Sequence, residues 1–172
     1  RDEGTSRRGF ARVGQVLQDR RQQVLDAYVQ GMRADSGVPR AAALTDLELE
    51  DHGSAFIVDV AQSLTILEEG RRPDLMRDGS DIQRLIAERH GQQRARYGWA
   101  EEALHREFRI LDQAVDRTLR AELAGDPGVD LDAALTVLAR LIRQGEQVSL
   151  RGLRLAHEAS PPPDPASAAA LD

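Results

Sequence analysis

The chain has 172 residues, a mass of 19.0 kDa and a net charge of −6, with 41% hydrophobic and 30% charged residues. That balance describes one soluble globular domain able to bury a core, and it excludes a disordered chain. The acidity and an aromatic content of 3% count against nucleic-acid binding, which calls for a basic surface or a stacking platform.

The absence of cysteine excludes disulfides, a thiolate metal site and a cysteine nucleophile. Lysine is absent too: all 23 basic residues are arginine, which excludes Schiff-base chemistry and a phosphate-loop lysine. No apolar run approaches the roughly 20 residues that span a bilayer, so no membrane insertion is expected. The start, Arg1-Asp2-Glu3-Gly4, has no apolar stretch of a signal peptide, and a cytoplasmic location is expected. The missing initiator Met reads as a processed protein or an excised fragment.

Strand-like alternation is almost absent, whereas helical periodicity appears in five segments, so the expected fold class is all-α. The first helix runs from about Phe10 to Ala34, with Phe10, Val13, Leu17, Val24 and Tyr28 on one stripe. Asp35-Ser36-Gly37-Val38-Pro39 ends it. The second starts near Thr45, where Thr45 and Glu48 have capping-box spacing. Its stripe is Leu47, Phe56, Val60, Leu64 and Leu67, and Gly70 offers a left-handed stop. Arg71-Arg72-Pro73-Asp74 reads as a loop.

The third helix begins at the cap Ser80 and carries Ile82, Leu85, Ile86, His90 and Tyr97 before Gly98. The fourth runs from about Trp99 to Ala124, with Leu104, Phe108, Leu111, Val115 and Leu119 inward, and stops at Gly125-Asp126-Pro127-Gly128. The fifth runs from about Asp130 towards Glu158. Leu131, Leu135, Leu138, Leu141 and Ile142 come first, then the small residues Gly145, Ser149 and Gly152, which suit close approach of another helix. The expected organisation is a flexible tail over 1–9, a helical domain over 10–158, and a linker or tail over 159–172 that includes Pro161-Pro162-Pro163-Asp164-Pro165.

Catalytic motifs are missing. There is no G-x-S-x-G elbow, no H-E-x-x-H and no phosphate-cradling glycine loop. Asparagine is absent, which removes the nucleotide box of a kinase catalytic half. No enzyme activity is expected within this chain.

Four histidines, His52, His90, His105 and His157, lie on separate helices. His90 falls on the apolar stripe of the third helix. Such a histidine is a haem or metal ligand or, more commonly, a core histidine bonded to a neighbour. Arg94 is four residues on, and Glu107 leans inward between Leu104, Phe108 and Leu111. Charges on core stripes need partners, so Arg94 is expected to pair with Glu107. Trp99 reads as an apolar plug at a helix start rather than a ligand-stacking ring. Asp51 and His52, with Glu48 and Glu50, read as an acidic helix start. Arg7, Arg8, Arg12, Arg20 and Arg21 read as a solvated basic face.

Three stretches together carry a family resemblance: Leu49-Glu50-Asp51-His52, then His90-Gly91-Gln92-Gln93-Arg94-Ala95-Arg96-Tyr97-Gly98-Trp99, then Glu102 to Leu111. The sequence resembles the N-terminal, non-haem globin-like sensor domain of bacterial stressosome co-antagonists of the RsbR type, which also opens some sensor histidine kinases. The family pattern falls on His90, Arg94, Gly98, Glu107, Phe108 and Leu111, with Trp99 where a Phe is usual. The resemblance spans residues 10 to 158. It implies a globin-like bundle acting as a signal-input domain without a cofactor, in a homodimer, passing a signal through its last helix to an output domain in the same chain. His90, Arg94, Trp99, Glu107 and Phe108 are the candidate ligand or switch residues. The alternatives are a haem sensor using His90 and a helical adaptor or transcription-associated regulator.

Overall fold

Side-chain caps and turn glycines set most of the helix ends. Thr45 and Glu48 form the capping box that their spacing predicts. The Ser80 hydroxyl accepts from the Gln83 amide at 3.0 Å, and Asp130 accepts from the Ala133 amide at 3.2 Å. Gly70 and Gly98, at φ +69° and +74°, close their helices in the left-handed region that favours glycine.

The computed structural model describes residues 7–160, apart from Arg71, Pro73 and the side chain of Met76. Of the described residues 80% are helical, and none forms a strand. The elements are α1 (Phe10–Asp19), α2 (Arg21–Ala34), a 3-10 turn (Pro39–Ala43), α3 (Asp46–Glu50), α4 (Gly53–Glu68), α5 (Leu75–Asp78), α6 (Asp81–Arg96), α7 (Glu101–Leu123) and α8 (Leu131–Ala159). Six of these run to ten residues or more and form an all-α bundle. The Pro-rich stretch and Ala-rich end, 161–172, lie outside the described residues, as do residues 1–6 of the expected tail. Residues 7–9 of that tail are held in place. The Asp130 backbone amide donates to the Arg8 carbonyl at 2.9 Å, and the Gly9 amide donates to Glu68 at 3.0 Å.

Three expectations need correction. The first predicted helix is two, broken at Arg20, because α1 lies against α4 while α2 lies against α7. The second is also two, broken at Asp51-His52, so Leu47 leaves the stripe and stands 79% exposed while Leu49 is buried. On α6 two residues of the predicted stripe face outward, Ile82 at 59% and Leu85 at 52% exposure, while Ile86 is half-buried. Its buried face is Gln83, Ala87, His90, Gly91 and Arg94, set three, four and seven residues apart.

That face explains how α6 meets α8, the most extensive contact in the bundle. A Cβ on Gly91 would lie 1.8 Å from the Ser149 carbonyl oxygen, and one on Gly152 would lie 2.5 Å from that of Glu88. The Ser149 hydroxyl donates to the Ala87 carbonyl at 2.7 Å, so its polar atom is satisfied in the interface. Gly145 makes room for the Phe56 ring. The small-residue stripe is therefore filled from within the chain and is closed to a dimer partner.

Gly91→Ala should destabilise the fold by about 1–3 kcal/mol despite alanine's better helix propensity, because overpacking forces the two backbones apart. Leu85→Ala should change stability by no more than about 0.5 kcal/mol, as exposed positions do. Urea unfolding followed by circular dichroism compares the two.

Candidate functional site

The site grows from Arg94, in the last turn of α6 and wholly buried. Its Nε donates to both carboxylate oxygens of Glu107, at 3.1 and 3.2 Å, and Nη2 donates to Oε1 at 2.7 Å. The rest of the guanidinium reaches α3: Nη1 donates to the Glu48 carbonyl at 3.0 Å and Nη2 to that of Leu49 at 2.8 Å. These belong to the last carbonyls of a short helix, which have no partner within it. Trp99, turned inward by Gly98, lies under the guanidinium with its ring centroid 4.7 Å away. It plugs the core as expected, and also caps the cation.

Glu107 sits on α7 with its side chain 1% exposed. Besides Arg94 it accepts from the buried Tyr28 hydroxyl of α2 and faces His90 Nε2 at 3.1 Å. Burial opposes its ionisation, but His90 and Arg94 outweigh burial and hold the carboxyl down at about 2. Burial and the adjacent Glu107 push the Tyr28 phenol well above its ordinary value. Burial disfavours the charged form of His90 as well, yet Glu107 and Asp51 overcome it and raise its pKa. The Phe108 ring meets the imidazole edge-to-face at 5.8 Å and Phe56 at 6.5 Å.

The other edge of His90 faces Asp51. His90 Nδ1 lies 3.4 Å from Asp51 Oδ2, and His52 Nδ1 contacts the same oxygen. With its amide nitrogen turned toward the carboxylate, Gln93 donates to Oδ1 at 2.7 Å. Asp51 ends α3 at φ 37°, ψ −116°, and is the sole non-glycine at positive φ among the described residues. Such strain persists only where surrounding contacts impose it. A cavity of about 20 Å³ adjoins His90, lined by Tyr28, Phe56, Ile86, Phe108 and Leu111; that is room for about one water.

The structure thus brings together His90, Arg94, Trp99, Glu107 and Phe108, and forms the expected Arg94–Glu107 pair. Sequence reasoning missed Tyr28, Gln93, Asp51 and His52 as members of the site. Tyr28 reads as an ordinary stripe residue and Asp51-His52 as a helix start; only their place in the resemblance stretches marks the latter. The remaining histidines do not converge. His105 pairs with Glu146 at 2.5 Å, and His157 is exposed near the end of α8. Two arginines of the N-terminal face are paired with acids: Arg12 with Asp126 at 2.8 Å and Arg20 with Glu122 at 3.0 Å.

Compared with protein-family models, curated proteins and solved structures, the chain matches none.

Removing one partner of a buried pair leaves an uncompensated charge, so Glu107→Ala should cost about 3–5 kcal/mol. The double variant Arg94→Met with Glu107→Leu should lose less than the sum of the single losses. A double-mutant cycle by urea denaturation measures the difference.

Proposed function

We propose that the chain is a sensory input domain of a bacterial signal-transduction protein, a sensor histidine kinase of a two-component system or a stressosome regulator. In this reading it is cytoplasmic, has no enzymatic activity of its own, and drives an output domain on the same polypeptide. The observation that carries the reading is the buried Arg94–Glu107–His90 network where α2, α3, α6 and α7 meet. A bundle built only to be stable would do as well or better with apolar side chains there. A network that is enclosed on one side, strained at Asp51 and reaches the surface through His52 has the makings of a two-state element.

The resemblance points the same way. Of the residues that carry it, His90 and Arg94 both meet Glu107, Phe108 packs on His90, and Gly98 sets Trp99 under Arg94. The relay follows from packing. α6 holds His90 and Arg94 in the network and Ala87 and Gly91 against α8. Backbones this close move together, so a shift of α6 is passed to α8 and out along its exposed end, Arg154–Ser160.

We rank the haem alternative below this reading. The cavity that adjoins His90 has room for about one water, not for a porphyrin. A nucleic-acid-binding regulator is disfavoured by the net charge of −6 and by the pairing of two of the N-terminal arginines. No helix of the described residues is long and apolar enough to cross a membrane. We extend the reading to a homodimer whose contact lies outside the Gly145/Ser149/Gly152 stripe.

Amide exchange tests the coupling. His90→Gln should accelerate exchange across 145–160 of α8 at least fivefold more than across α1, after correction for any change in global stability. Equal acceleration in both helices, or an unchanged α8, would overturn the input-domain reading.

A further inference from the structure

We infer that Asp51, His52 and His90 form a binding site for one divalent transition-metal ion of the zinc type. The three residues come from the turn between α3 and α4 and from the middle of α6, and their ligand atoms lie within 4.8 Å of one another. One carboxylate and two imidazoles, with no thiol, are a donor set that suits zinc and its first-row neighbours rather than calcium or magnesium.

The hydrogen bonds assign the histidine atoms. Glu107 accepts and cannot donate, so the His90 Nε2 that faces it at 3.1 Å carries a proton. His90 Nδ1, 3.4 Å from Asp51 Oδ2, is then the ring nitrogen that a metal ion can take once its proton leaves. His52 Nδ1 faces the same oxygen. In the metal-free chain a proton on each Nδ1 bridges it to the Asp51 carboxylate, and a bound metal ion takes the place of those protons. Tetrahedral zinc, at about 2.0–2.1 Å from each ligand, sets ligand atoms about 3.3 Å apart. The His90–Asp51 separation already matches that spacing, and His52, about one-third exposed, can swing outward to reach it.

The surroundings are those of a metal-bound histidine. Such a residue ordinarily donates its second ring nitrogen to a carboxylate that is itself held in place. Glu107 is that carboxylate, anchored by Arg94 and Tyr28. Gln93 steadies Asp51 in the same way. His52 gives the ion a path from solvent. Three protein ligands leave a fourth position for water, the arrangement of an exchangeable rather than a purely structural site. As the stimulus of the input domain the ion rests on the reading above; as a binding site it stands on this geometry alone.

The test is to titrate cobalt(II) into the 172-residue chain, follow its visible absorption, and displace it with zinc(II). Expected are one ion per chain, tetrahedral-type bands, and a higher Tm with zinc. His52→Ala and Asp51→Asn should each weaken zinc binding at least tenfold with unchanged circular dichroism. Glu107→Gln should weaken it about 10–100-fold through His90. His105→Ala should leave it within twofold. No saturable binding, or equal affinity across all the site variants, overturns the site. If zinc fails to bind while His90→Gln still loosens α8 selectively, the ion is wrong and the input-domain reading stands. If zinc binds while α8 stays unaffected by His90→Gln, the site stands and that reading falls.

Discussion

A guanidinium with no exposure to water has to find all its hydrogen-bond acceptors inside the protein, and Arg94 finds them on two other elements. The Glu107 carboxylate neutralises it from α7. The carbonyls of Glu48 and Leu49 receive the rest of its donors and thereby cap the C-terminal end of α3. That cap explains why a sequence that reads as one helix from Thr45 breaks at Asp51. The chain turns where an interior cation can satisfy the freed carbonyls, and the turn delivers Asp51 and His52 to the face of His90.

The same arginine accounts for the composition of α6. Its inner face is polar and small because it must carry His90 and Arg94 toward α7 and lie almost backbone-to-backbone against α8. Isoleucine and leucine at 82 and 85 are left outside. In most amphipathic helices the apolar stripe marks the buried side. Here the inner side is identified by groups that can be satisfied pairwise: Gln83 on Ser63, Ser149 on Ala87, His90 and Arg94 on Glu107.

The network also unites the two roles proposed for the domain. The Asp51–His52–His90 edge lies toward solvent, and the Glu107–Arg94–Tyr28 part lies in the core. A charge arriving at the outer edge acts on His90, whose other nitrogen is bonded to the residue that anchors α7 to α6. α6 in turn has no slack against α8. One contiguous set of contacts thus links the Asp51–His52–His90 edge to the last helix, which is the physical basis of the transmission we propose.

The sequence by itself determined the helical class, the capped starts at Thr45 and Ser80, the start of the last helix near Asp130, the stop at Gly98, and the pairing of Arg94 with Glu107. These depend on residues within a turn or two of one another, or on the rule that two inward charges of opposite sign must meet. Only the tertiary structure decided the breaks at Arg20 and Asp51, the buried face of α6, the enclosure of the Gly145/Ser149/Gly152 stripe, and the meeting of Asp51 and His52 with His90. Tyr28 and Glu107 are 79 positions apart, and Arg94 and Leu49 are 45 apart. No periodicity spans such separations. Whether a polar side chain faces in or out depends on whether a distant partner arrives to satisfy it, and that is settled only when the helices pack.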